Sequence, residues 1–202
     1  MPEPDKTPRT QTRRIVVAIT GASGAIYSKT LIRALLDAEI EVHLVISKFG
    51  RRLLHDELNI GASDLNLLAG RDHPNIIHHP IDDIGAPVAS GTFQHDGMVI
   101  VPCSSNTLGQ IANGIGSNLL TRAAAVTLKE KRSLIIAHRE SPLSLIDIEN
   151  MRTLALAGAI IAPANPGWYL KPERLSDLAD FVAGRLLDAL NVNHNLTIRW
   201  GD

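Results

Sequence analysis

Residues 15–25 read IVVAITGASGA, five aliphatic residues that run through Thr20 into a turn of small side chains. An aliphatic run with almost no polar alternation suits a strand covered on both faces, as strands of parallel sheets are. The turn Thr20-Gly21-Ala22-Ser23-Gly24-Ala25 then opens a helix expected over Ala25 to Ala38. The same rhythm recurs along the chain. Further strands are expected at Glu41 to Ile46, Met98 to Pro102, Ser133 to Ala137 and Ala159 to Ala162. Helices are expected at Lys48 to Leu58, Thr107 to Ala112, Asn118 to Glu130, Ile148 to Ala157 and Glu173 to Asn191, with Pro172 as a start signal and Gly158 as a stop. Short buried strands alternating with helices predict an α/β fold, a three-layer sandwich around a mainly parallel sheet. Only the stretch from Ile60 to Thr92, interrupted by Pro74, Pro80 and Pro87, resists this pattern, and one short strand near Ile76 to His79 is expected there.

The chain has 202 residues, enough for one domain of the usual ~150-residue scale and for a core that needs no staple. Residues 1–14 are polar and proline-bearing with no apolar stretch, and are expected to form a disordered leader ahead of a single domain over 15–202. Twenty Lys and Arg against 21 Asp and Glu leave a net charge of −1, without the basic excess on which general nucleic-acid binding depends. One cysteine, Cys103, can form no disulfide within the chain, which predicts a reducing, cytoplasmic setting. No apolar run approaches the ~18 residues of a membrane span.

In an open parallel sheet, ligands bind beyond the carboxyl ends of the strands, where helix N-termini present unpaired N–H groups. The small-residue turn at Gly21 to Gly24 lets backbone amides approach a phosphate or a flavin, although it lacks the G-x-G-x-x-G of dinucleotide binding. The second strand ends in Ile46-Ser47-Lys48, with no acid to grip a ribose hydroxyl. After the third main strand, Cys103-Ser104-Ser105-Asn106-Thr107 gathers hydroxyls and an amide, more donors than one helix cap requires. Cys103 itself reads as a small buried hydrophobe rather than a nucleophile. Then come His138-Arg139-Glu140 and the aromatic pair Trp168-Tyr169 at two more strand ends. Neighbouring His78 and His79 would face opposite sides of a strand and could not share a metal, and Asp82-Asp83 is not completed into a magnesium site.

The segments TGASGA (Thr20 to Ala25), ISK (Ile46 to Lys48), APVASG (Ala86 to Gly91), PCSSNTL (Pro102 to Leu108), NLLTRAA (Asn118 to Ala124), LKE (Leu128 to Glu130), RESPLS (Arg139 to Ser144), ENM (Glu149 to Met151), PANPGWY (Pro163 to Tyr169) and RWG (Arg199 to Gly201) occur in order. In that order and spacing the chain resembles the UbiX-type flavin prenyltransferases from about residue 14 to its end. The resemblance implies a Rossmann- or flavodoxin-like sheet and an enzyme that joins the dimethylallyl group of dimethylallyl phosphate to N5 and C6 of reduced FMN. The product, prenylated FMN, serves UbiD-type decarboxylases, and no metal takes part. FMN would lie against Gly21, Ala22, Ser23, Ser47, Ser104, Ser105, Asn106, Thr107 and Arg139. Lys129, Arg139, Tyr169 and Arg185 would hold the substrate phosphate, Glu140 would exchange a proton with it, and Ser23 backed by Glu57 would relay the N5 proton. Arg122 and Trp200 would lie at subunit contacts of a homo-oligomer, which the resemblance implies is a dodecamer. The chain departs from the common pattern at Ile84, Ala125 and Leu170. Two alternatives stand beside this expectation, a flavin-dependent cysteine decarboxylase of the same superfamily and a non-catalytic FMN-binding subunit. His55 is a poor stand-in for the decarboxylase histidine, and neither alternative gives Glu140 and Lys129 a task.

Overall fold

The structure is a computed structural model and describes residues 12–61, 64–70, 73–169 and 171–196. Six strands, β1 (Arg14–Ile19), β2 (Glu41–Ile46), β3 (Ile76–His79), β4 (Gly97–Cys103), β5 (Leu134–His138) and β6 (Ile160–Ile161), form one sheet in the order β3-β2-β1-β4-β5-β6. Every pairing is parallel. Because successive side chains point to opposite faces, β1 feeds two cores. Ile15, Val17 and Ile19 enter one, and Val16 and Ala18 enter the other. The first core is covered by α1 (Ala25–Asp37), α2 (Lys48–Leu58), the single turn α3 (Asn66–Ala69) and, last in the chain, α7 (Leu175–Ala189). The second is covered by α4 (Ser105–Ala112), α5 (Leu119–Lys129) and α6 (Leu145–Leu156). Burying each Val, Leu or Ile of these strands contributes roughly 1.5–3 kcal/mol, which makes the doubly covered sheet the main source of stability.

The element ends differ from the sequence expectation where side chains cap them. Strand β1 starts at Arg14, inside the expected leader, because Glu41 holds its side chain at 2.9 Å and Asp96 accepts its backbone N–H at 2.8 Å. Helix α4 starts at Ser105 rather than Thr107 because Ser104 caps it through the Thr107 N–H. Helix α6 starts at Leu145, three residues early, since Ser144 and Asp147 form a reciprocal capping box. Helix α7 starts later than Glu173 because the Asp177 carboxylate accepts the N–H groups of Glu173 and Arg174, holding both outside the helix.

His43 and His79 share one face of the sheet and stack 5.1 Å apart, with His43 Nδ1 2.8 Å from His79 Nε2 and His43 Nε2 2.8 Å from Glu41. Burial lowers the pKa of both imidazoles, and for His43 the Glu41 carboxylate only partly opposes it. The fold therefore favours the neutral rings. Above the unfolded value of ~6.5 neither state is protonated and this stability is complete; as pH falls below that, the unfolded chain takes protons first. Lowering the pH from 7 to 5.5 is expected to drop Tm by roughly 5 °C. A flatter Tm profile in His79→Gln is the check, and an unchanged slope in that variant refutes the assignment.

Candidate active site

The strand order reverses between β1 and β4, and a crevice opens beyond their carboxyl ends. Thr20 stitches the two ends together. Its hydroxyl donates to the Pro102 carbonyl at 2.8 Å and accepts the Ser104 N–H at 2.8 Å. The start of α2 closes on the same place: the Ser47 N–H donates to the Ile19 carbonyl, and a Cβ at Gly50 would lie 2.4 Å from that oxygen, so only glycine allows this approach. A Cβ at Gly21 would likewise lie 2.4 Å from the Cβ of Phe49.

Two helix N-termini thus converge on one turn. Ser47 caps α2 through the Gly50 N–H at 3.0 Å, and Ser104 caps α4. Beside them lies a cavity of about 530 Å³, within the range of small-molecule sites, whose wall includes Gly21, Ser47, Ser104, Asn106, Thr107 and Asn118. Gly21, Ser47, Ser104, Asn106 and Thr107 are among the positions expected from the sequence.

Farther along the turn from Gly21, the Glu57 carboxylate reaches back from α2 to the first amides of α1, accepting the Gly24 N–H at 3.0 Å and the Ala25 N–H at 2.8 Å. Arg139 crosses from the end of β5, its Nε donating to the Ser23 carbonyl at 3.1 Å. Tyr27 lies between them. Burial raises its phenol pKa, the Arg139 guanidinium opposes this and Glu57 adds to it. Ser23, Glu57 and Arg139, distant in sequence, therefore form one charged cluster beside Gly24.

Other expected residues stand apart within one chain. Glu140 is exposed, its Oε1 accepting the Ser141 N–H at 3.0 Å. Tyr169 packs edge-on against Phe181 of α7 at 5.9 Å. Arg185, one helical turn beyond Phe181, bonds to Asp188 at 3.3 Å rather than to the cluster. Lys129 ends α5 and pairs with Glu130 at 3.0 Å, near the strand starts, where Met98 bonds Ser133. The five-residue β5 separates that level from Arg139 by about 15 Å. Arg122 points outward from α5. Trp200 and Leu170 lie outside the described residues.

His138 and Asp147 have no role among the positions expected from the sequence. His138 Nε2 is 3.1 Å from the Ser105 hydroxyl, and the Asp147 carboxylate accepts the Ser144 hydroxyl at 2.6 Å and the Ser144 N–H at 3.0 Å. The S-x-x-D spacing of Ser144 and Asp147 before an apolar run was the available signal. Cys103 is buried, and burial pushes its thiol far up, in keeping with a small core residue. Among the described residues no group of three or more His, Cys, Asp and Glu could hold a metal ion, and no helix is long and apolar enough to cross a membrane.

The flavoprotein family model matches residues 4–187. The chain is 45% identical over 190 residues to the flavin prenyltransferase UbiX of Halalkalibacterium halodurans, covering 92% of each chain. It superposes with a TM-score of 0.88 on a UbiX protein (PadA1) crystallised with FMN and dimethylallyl pyrophosphate, at 40% identity and covering 95% of this chain and 99% of that one. A dodecameric FMN-dependent UbiX-like decarboxylase from Escherichia coli O157:H7 superposes at 0.85, with 37% identity and coverage of 94% and 99%. With the reversed strand order, the converging helix ends and these likenesses together, the chain belongs to the flavin prenyltransferases of the flavoprotein family.

Proposed function

We propose that this chain binds reduced FMN across the ends of β1 and β4 and carries a dimethylallyl group from dimethylallyl phosphate onto it. The observation that supports this most is the cavity between the capped starts of α2 and α4, with the Ser23–Glu57–Arg139 cluster on the same turn as the cavity's Gly21. The glycine-lined turn fits a planar ring, and the helix ends fit a phosphate. Gly21, Ala22, Ser23, Ser47, Ser104, Ser105, Asn106, Thr107 and Arg139 would hold the flavin, which supplies the nucleophile, N5 first and C6 second.

The chain's own residues supply the rest. Ser23, kept in place by Arg139 and flanked by amides that Glu57 holds, is set to take the N5 proton. An allylic phosphate departs readily when cations hold its developing charge and its oxygen is protonated. Arg139, Lys129, Arg185 and Tyr169 are assigned the charge and Glu140 the proton, which it is set to take back as the ring closes. With that many donors the reaction needs no divalent cation.

The distance between Lys129 and Arg139 within one chain implies that Lys129 serves the site of a neighbouring copy. Exposed Leu143, Leu145, Ile146 and Leu156 on and beside α6 give such a copy an apolar surface to cover, in line with the dodecameric relative. Arg122 and Trp200 are assigned to that contact, and a UbiD-type decarboxylase in the cytoplasm to the product.

Anaerobic incubation with reduced FMN and dimethylallyl monophosphate, in the presence of EDTA, should yield flavin heavier by one five-carbon unit by mass spectrometry. Unchanged flavin mass with the protein folded and FMN bound would refute the proposal.

A further inference from the structure

His138 closes β5, Asp147 stands in the first turn of α6, and both are nearly buried, at 2% and 7% exposure. Neither contributes to the hydrophobic cores. His138 bonds the hydroxyl of Ser105, the first residue of α4, at 3.1 Å, and Asp147 bonds the Ser144 hydroxyl and N–H just ahead of α6. Asp147 is held at about 2 by hydrogen bonds from the Ser144 hydroxyl, the Ser105 hydroxyl and the Ser144 N–H, and is therefore an acceptor only. The ring of His138, whose pKa burial lowers, shares its Nε2 with the Ser105 hydroxyl at 3.1 Å. The arrangement differs from a hydrolytic triad, in which the carboxylate holds the histidine's other nitrogen, since the Asp147 carboxylate bonds Ser144.

Residues 139–146 hang between the two anchors. Arg139 is tied by its N–H to Cys103 and by Nε to Ser23, while Glu140, Ser141, Pro142 and Leu143 are exposed, and among the described residues Glu140 bonds only to its neighbour Ser141. The course of the segment is thus set at its ends. We propose that His138 and Asp147 are positioning residues for prenyl transfer: His138 ties the start of the segment that carries Arg139 and Glu140 to α4 through the Ser105 hydroxyl, and Asp147 fixes its far end through Ser144. This rests on the roles assigned above to Arg139 and Glu140.

The test compares full-length His138→Leu, His138→Gln, Ser105→Ala and the double variant Ser105→Ala/His138→Leu. The leucine variant should lose about 10- to 100-fold in kcat while KM for dimethylallyl monophosphate and FMN affinity stay within about 3-fold. His138→Gln, whose amide can still donate to Ser105, should recover most of the loss, and the double variant should be no slower than Ser105→Ala alone. A purely structural role would lower Tm and leave kcat per folded molecule unchanged. Wild-type kcat in His138→Leu overturns the proposal, as do losses that multiply in the double variant. Should the leucine variant not fold, wild-type kcat in Ser105→Ala overturns it alone. A crystal structure of Ser105→Ala with residues 139–146 on their original course overturns it independently of turnover, whereas a wild-type protein that leaves the flavin mass unchanged overturns the functional reading instead.

Discussion

Replacing Glu140 by Gln is expected to lower the rate of prenyl transfer by about 10²- to 10⁴-fold, the usual contribution of a positioned general acid. The substitution isolates chemistry from structure. Glu140 uses Oε1 to accept the Ser141 N–H, and a glutamine oxygen does the same, so the turn before Pro142 keeps its local bond. Its side chain is exposed and touches neither hydrophobic core, so Tm should move by less than about 1 °C. What the amide lacks is a transferable proton. The departing phosphate oxygen would leave with its full negative charge, and the cations alone would have to hold it. Single-turnover kinetics under anaerobic conditions, with the flavin mass read at each time point, measures the effect directly. FMN affinity should be unchanged, because the flavin contacts assigned here lie on the turns after β1, β2 and β4 and on Arg139. A rate within about 3-fold of wild type would remove Glu140 from the proton transfer.

The sheet and its mouth were legible in the sequence because parallel strands announce themselves as short aliphatic runs. All five main runs are strands, and the irregular stretch from Ile60 to Thr92 does hold the one expected strand, Ile76–His79. His78 and His79 do face opposite sides, His79 toward His43 and His78 toward Arg51. The small residues after β1 and the hydroxyls after β4 converge because the topology brings those two strand ends together, a fact of the fold that either segment alone cannot state. Less legible were the reciprocal caps. Ser144 and Asp147 extend α6 by a turn, and Asp177 shortens α7, through bonds whose partners are three or four residues away. The His138–Ser105 contact could not be read at all, since it joins residues 33 apart in sequence. Lys129 is the instructive case. Its place in the family pattern named it for the phosphate site, yet the helix that carries it runs antiparallel to the strands and delivers it to their starts.

That placement leads to the second large effect. Lys129→Ala should be as damaging as the loss of Glu140 to within an order of magnitude, because an ammonium facing a departing phosphate stabilises charge that develops in the transition state. The lysine stands at the end of α5, paired with Glu130, about 15 Å of strand away from Arg139. Its side chain cannot span that distance, so with the roles proposed above a productive site takes Lys129 from one chain and Glu140 from another. Two inactive variants then complement each other. In oligomers co-expressed from equal amounts of Lys129→Ala and Glu140→Gln chains, each site draws its lysine and its glutamate from different subunits, and about one quarter of the sites inherit both intact residues. Activity should rise from near zero in either variant to roughly a quarter of wild type in the mixture, while mixing after separate assembly should restore nothing until subunits exchange. If Lys129 and Glu140 served the same site from the same chain, no combination would carry both, and the co-expressed mixture would stay as inactive as its parents. The comparison depends on connectivity rather than on the size of either single defect, so it decides between the two arrangements even if Lys129→Ala proves milder than expected.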